Sequence, residues 1–382
     1  RTAALWRALA ARGGAPLFSL SLVQSSCWRD VSADLVRSTL RPLTSSLRTL
    51  MLHGIPYLAV DSCWEGLTAV LPYLAALRRL DVGECSLGDK PTASVVASLP
   101  WDLEELSVAC NRADAATARA LSIAPLPCLR ALDVSTNRGI GRHMHKVLAA
   151  GPQLRRLNVS WCNVTPDAAD ALARDAAVRL TSLQVLEASG PQNMSAKAWA
   201  ALMRRPRGAL RVLGLSLCPA KDADLTAALL GGTGPAMEPL SALRVLRLDG
   251  NNWQAATEGL AAALRAGSLP ALRVLEVSNI RLTTDLLEAL RGTNVEELSI
   301  EHHARASDAT AGVLGAVIRD MPRLRKVKTL GLEFTLTSLA ALVAPLTEEP
   351  LPPALQDVWL PGSVTRLADH DKLASLVEVA GA

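Results

Sequence analysis

Apolar and polar residues alternate in short bursts along this chain, and the bursts obey one frame. Residues 243–250 read LRVLRLDG and residues 272–279 read LRVLEVSN, with apolar residues at the first, fourth and sixth places. The frame recurs thirteen times, starting at Leu17, Leu47, Leu77, Leu103, Leu129, Leu154, Leu183, Leu210, Leu243, Leu272, Val295, Val327 and Leu355. Its intervals run from 23 to 33 residues and average roughly 28. The period of two within a copy predicts a short β-strand whose fourth and sixth places face inward, while the residues between them face out.

Eight places after the first apolar residue, six copies carry Cys85, Asn111, Asn137, Cys162, Cys218 or Asn251. A small polar side chain there satisfies the backbone of the turn that leaves the strand, and stacked copies make a structural ladder of it. That role accounts for three cysteines without redox chemistry. The second half of each copy reads as helix. In VTPDAADALARDA, Thr165 is placed as an N-cap and Pro166 at the first helical position, with Ser195 and Ser307 as caps elsewhere. A single copy cannot bury its own apolar face, so the copies must stack into a continuous core.

LDVSTN, LNVSWCNVTPDAADALA and LRLDGNN resemble leucine-rich repeats of the long, helix-containing class found in ribonuclease inhibitor. The resemblance spans essentially the whole chain. It implies an α/β solenoid of about 13 repeats, a curved horseshoe with a parallel β-sheet on its concave face and helices on its convex face. No single activity is implied, because members of such a fold class differ in what they bind. The expected organisation is a half-repeat or capping helix over 1–16, a solenoid over 17–354, and a last strand with a C-terminal cap over 355–382. The acid-free opening RTAALWRALAARGG suits a transit peptide, but its Leu5, Trp6 and Leu9 stripe suits a leading helix better. The chain does not open on Met, as expected of a fragment or a processed form.

Charge changes the picture little. With 40 basic and 36 acidic residues the net charge is +4, and no run of five like charges occurs, so no nucleic-acid arm or acidic tail is expected. No stretch approaches 18 uninterrupted apolar residues, so no membrane span is predicted. Seven cysteines without a CxxC pair argue against a disulfide framework and for an intracellular, reducing setting. Sequons at Asn158, Asn163 and Asn193 point the other way, but Asn158 falls inside a predicted strand.

The outward places can be read directly. Arginine stands just after the first apolar residue at Arg48, Arg78, Arg130, Arg155, Arg211, Arg244 and Arg273. Outward acids such as Asp133, Glu187, Asp249 and Glu301 are expected to neutralise this rail across strands, and stacking aromatics are lacking beside it. A nucleic-acid surface is therefore not favoured. Six places on, Ala109, Ser135, Ser160, Ser189, Ser216 and Ser278 predict a smooth trough. Trp161 is expected to project from the middle of the face, and Phe334, Trp359 and His302 to gather at its C-terminal end, as anchors for a partner. Asp133, Asn158, Arg247, Asp249 and Glu301 complete the expected partner-binding set.

Catalytic constellations fail individually. His143 and His145 lie two apart on a predicted helix, diverging by about 200°, and cannot share a metal. RGIGRH lacks the third glycine of a dinucleotide turn, GGTG at 231–234 is not followed by Lys and Ser/Thr, and GLSLC lacks one glycine of a nucleophile elbow. No enzyme, cofactor, metal or small-molecule substrate is expected. The sequence predicts a non-catalytic scaffold that binds another protein or protein complex on its concave face, as a structural subunit of a large assembly. The alternative is a regulatory module: a ubiquitin-ligase substrate receptor, a GTPase-activating protein or an innate-sensor repeat domain.

Overall fold

A computed structural model describes residues 6–9, 11, 16–23, 31–55, 63–148, 151, 153–165, 167–168, 180–190, 208–217, 239–250, 254–278, 282–300, 308–329, 336–347 and 354–359. The chain divides into two compact units, Arg1–Met194 and Ser195–Ala382. The first holds seven three-residue strands: β1 Ser19–Ser21, β2 Thr49–Met51, β3 Arg79–Asp81, β4 Glu105–Ser107, β5 Ala131–Asp133, β6 Arg156–Asn158 and β7 Val185–Glu187. The second holds six among its described residues: β8 Val212–Gly214, β9 Val245–Arg247, β10 Val274–Glu276, β11 Glu297–Ser299, β12 Lys326–Lys328 and β13 Asp357–Trp359. Within each unit the strands lie side by side in sequence order. Those of the first pair parallel throughout, with Leu20, Leu50, Leu80, Leu106, Leu132, Leu157 and Leu186 in register.

Parallel neighbours need a crossover, and among the described residues helical segments in the second halves of the repeats supply it. In the first unit, Asp89–Ala97 and Ala115–Ile123 are helices that bury Thr92, Val95 and Val96, and Thr117, Ala118, Ala120 and Leu121, respectively. Ser32 caps one helix by accepting from the Leu35 amide at 3.2 Å, and Thr283 caps another through Leu286 at 3.2 Å. The Ala168 amide donates to Thr165 Oγ1 at 3.4 Å. Ser195 and Ser307 lie outside the described residues.

The core is built from columns. In the fourth-place column every described leucine or valine is at most 7% exposed, from Leu20 through Leu213, Leu246 and Leu275 to Val358. First-place residues such as Leu47, Leu103, Leu154, Leu243 and Val295 are fully buried, as are sixth-place residues such as Leu52, Val108 and Ile300. At roughly 25 cal/mol per Å² of apolar surface, this burial is what drives stacking.

One register differs from the sequence reading. β12 begins at Lys326 and Val327 pairs with Leu298 and Val358, so Val327 occupies the fourth place and Leu324 the first. Leu324–Val327 and Val327–Leu330 have the same three-residue spacing, and the pattern alone does not separate them. Counted from Leu324, Phe334 is ten places on rather than seven.

Candidate interaction surface

Buried side chains in the turns fix the strand spacing of the first unit. Asn137 Oδ1 accepts the Asn111 amide at 2.9 Å and the Ala113 amide at 2.8 Å, while its Nδ2 donates to Val108 O at 3.0 Å and Val134 O at 2.9 Å. Asn111 repeats the motif one copy earlier, donating to Val82 O at 2.7 Å and accepting from Leu87 N at 3.2 Å. Cys85 and Cys162 fill equivalent places and donate to Leu52 O at 2.9 Å and Val134 O at 3.2 Å, while their sulfurs weakly accept backbone amides of the preceding copy, Gly54 and Ile55 for Cys85 and Asn137 for Cys162. Burial pushes both thiols up to about 12, so they stay protonated donors at neutral pH. Cys218 and Asn251 lie outside the described residues.

The eighth-place residue leaves the strand through left-handed backbone. Glu84, Cys110, Thr136 and Trp161 in the first unit and Leu217 in the second all have φ between 52° and 60°, beside Gly54, Gly190 and Gly250 at the same place. Bulky residues rarely adopt that region, and each carries strain of about 1 kcal/mol or more. The following copy makes room. A Cβ on Gly190 would lie 2.7 Å from the Trp161 ring, and one on Gly250 only 2.2 Å from Leu217 Cδ2. Both glycines also have positive φ, 90° and 68°. The Trp161 indole thus rests on the bare Gly190 backbone, and it is still 37% exposed.

The seventh-place amide faces away from the strand ladder and needs its own acceptor. Asp81 Oδ1 accepts from Gly83 N at 2.8 Å, Asp133 Oδ1 from Ser135 N at 2.8 Å, and Asn158 Oδ1 from Ser160 N at 3.1 Å. Elsewhere the preceding copy provides it: Ser160 Oγ for Ser189 N at 3.1 Å, and, in the second unit, Asp249 Oδ1 for Ser278 N at 2.9 Å. Of the small residues of the trough, Ser160 and Ser216 are thus hydroxyl acceptors within the stack, for Ser189 N and Asp249 N. Asp133, Asn158 and Asp249, placed by sequence on the partner-binding face, also hold the turns beneath it.

On the face opposite the helices, the first unit carries a groove of about 360 Å³ that crosses β2 to β7. Third-place residues Arg79, Glu105 and Arg156 line one side and fifth-place residues Met51, Asp81, Asp133, Asn158 and Glu187 the other. Glu105 sits between the two arginines, 3.1 Å from Arg79 and 2.5 Å from Arg156. Asp81 meets His53 Nδ1 at 3.3 Å, and Asp133 accepts from Asn158 Nδ2 at 3.1 Å.

Three of the seven rail arginines are engaged by side chains of a neighbouring copy. Arg78 contacts Asp102 and Glu104 at 3.5 and 3.9 Å, Arg273 meets Glu296 at 3.1 Å, and the Arg48 guanidinium lies 5.6 Å from the centre of the Phe18 ring. Such exposed pairs contribute little stability but remove the arginines from an open cationic surface.

In the second unit, β8, β9 and β10 present half-buried Val212, Val245 and Val274 at the third place. Arg247 pairs with Glu276 at 3.0 Å, and burial raises the Glu276 carboxyl above its ordinary range against the opposing pull of Arg247. Trp359 is half-buried at the fifth place of β13, and its indole nitrogen is enclosed without a hydrogen-bond partner among the described residues. Glu301, His302 and Phe334 lie outside the described residues.

Three features escaped the sequence reading. The left-handed column was signalled only by glycine at one place in three copies. Asp89, at the start of its helix, accepts from the Asp114, Ala116 and Thr117 amides of the next copy at 2.8–2.9 Å. Burial opposes its ionisation, yet these amides and the Thr117 hydroxyl win and hold its carboxyl below the ordinary value. Tyr73 and Trp101, 70% and 67% exposed, stand in the loops entering β3 and β4. No cluster of three metal-ligating side chains occurs among the described residues, and no helix there is long and apolar enough to cross a membrane.

A leucine-rich repeat family model matches residues 152–173, the copy containing β6 and Trp161. No curated protein matches the sequence with significance. Among solved structures, the chain is similar to one in the Rad7 and Elc1 complex in yeast, with 16% identity over 84% of this chain and 78% of that one, at a TM-score of 0.49. It is also similar to the leucine-rich repeat-containing protein LegL7 from Legionella pneumophila, with 14% identity over 88% of this chain and 100% of that one, at a TM-score of 0.43. The described strands, turns and helices with their buried columns have the fold of leucine-rich repeats, and the copy at residues 152–173 matches that family's model.

Proposed function

We propose that the chain is a non-catalytic scaffold that holds a partner protein on the open face of its sheet, as a structural subunit of a larger assembly. The observation that carries this reading is Trp161. A large indole is kept 37% exposed, in left-handed backbone, with a glycine in the next copy leaving room for its ring. Strain and exposure at one aromatic side chain are tolerated where that side chain meets something, and tryptophan is enriched among residues that dominate binding. The groove across β2 to β7 supplies a surface for the rest of the contact.

The test is affinity purification of the full chain from its native source with mass spectrometry, wild type beside Trp161→Ala. Loss of one defined partner set from the variant, with folding intact, supports the reading. Identical partner sets from both proteins refute it.

A further inference from the structure

Resting on that scaffold reading, we infer that the groove of the first unit receives a basic helix of the partner, one with lysine or arginine at about every seventh residue. Four carboxylates, Asp81, Glu105, Asp133 and Glu187, and two arginines, Arg79 and Arg156, line the groove, a balance of 2 − 4 = −2, whereas the whole chain carries +4. Both arginines lie on the same side and both are drawn to Glu105. The fifth-place side has no arginine or lysine at all: Met51, Asp81, Ser107, Asp133, Asn158 and Glu187. Asp81 and Asp133 make their contacts with backbone amides, His53 and the Asn158 carboxamide. A cationic side chain entering the groove therefore meets, at Asp81 and Asp133, carboxylates that hold backbone amides, His53 and the Asn158 carboxamide rather than an arginine or lysine.

Spacing selects the shape of the segment. Adjacent strands lie about 4.8 Å apart, so Asp81 on β3, Asp133 on β5 and Glu187 on β7 recur roughly every 10 Å. Seven residues of α-helix rise about 10.5 Å and return to nearly the same face. The groove crosses five strand spacings, about 24 Å, room for roughly sixteen helical residues. An extended peptide fits less well, because it would lie across the sheet's face, where strand carbonyls and amides are already paired, and its own backbone would lack partners. A helix satisfies its own. At the rim beyond β6, the Trp161 ring offers a cation a further favourable surface.

The test is fluorescence anisotropy with the full chain and a labelled, alanine-based helical peptide of about 20 residues, lysine at every seventh position. A second peptide carries glutamate at those positions. The lysine peptide should bind at least about tenfold more tightly than the glutamate peptide at low salt. Its affinity should fall as salt rises. Asp81→Asn with Asp133→Asn should cost roughly tenfold more. Folding should survive, since Asn158 already makes the same turn bond to its own seventh-place amide, Ser160 N, at 3.1 Å; a thermal melt checks this. Equal binding of the two peptides, no binding of the lysine peptide, or an unaffected folded double variant overturns the inference. If the double variant does not fold, the lysine–glutamate contrast on wild type decides alone. Should the lysine peptide fail while Trp161→Ala still abolishes partner capture, this inference falls and the scaffold reading stands. If Trp161→Ala captures normally, the scaffold reading falls instead.

Discussion

The open faces of the two units differ where their cores agree. Across β3 to β7 the first unit presents acids and amides at the fifth place and an Arg–Glu–Arg cluster at the third. Across β8 to β10 the second presents three valines at the third place and an Arg247–Glu276 pair at the fifth. Beneath both, the fourth place is leucine and closed to solvent, whether Leu132 at 2% or Leu275 at 0%. The inward columns are constrained by close packing, which tolerates no polar atom and little change of volume. The outward columns are free of that constraint, so the difference between the faces is where recognition is written.

The sharpest way to break this comparison is to attack the shared core. Leu132→Ala and Leu275→Ala should each cost about 2–5 kcal/mol in chemical denaturation. A loss below about 1 kcal/mol at either would mean that its column is not packed as described. Next come the rungs. Asn137→Ala strands the Asn111 and Ala113 amides and should cost about 2–3 kcal/mol, whereas Cys162→Ala removes one weak thiol donor and one weak sulfur acceptor of the Asn137 amide and should cost about 1 kcal/mol. Equal losses would deny the two rung types their different roles.

Asp89→Ala should cost about 1–2 kcal/mol, as for loss of a helix cap, although the helix capped belongs to the next copy. Because this carboxyl is depressed in the folded state, its contribution is present above the ordinary value of 3.8 and is lost as pH falls through the folded value. The gap between wild type and variant should therefore close in acid, and denaturation at pH 7 and pH 3 checks it. The smallest effect on stability is expected outside: Trp161→Ala should stay within about 1 kcal/mol, since lost packing on Gly190 is offset by the easier left-handed backbone of a smaller residue.

Most of the fold was legible because the period of two and the repeat interval both report stacking, which is local and repetitive. It failed at Val327, where two overlapping leucine–valine spacings fit the same frame. The surface was less legible. Sequence placed Asp133, Asn158 and Asp249 on the outer face, but not their grip on the turn amides, which depends on how a side chain folds back over its own or the next copy. It placed Trp359 at an outward place too, but not the enclosure of its indole nitrogen. Asp89 was invisible for a related reason: its acceptors' partners lie 25–28 residues downstream.

The separation of an inward fold from an outward function is tested most directly by partner capture and unfolding free energy measured together on Trp161→Ala and Leu132→Ala. Trp161→Ala should lose capture and keep its stability, while Leu132→Ala should lose stability and, where it remains folded, keep capture. Undiminished capture by Trp161→Ala would contradict it.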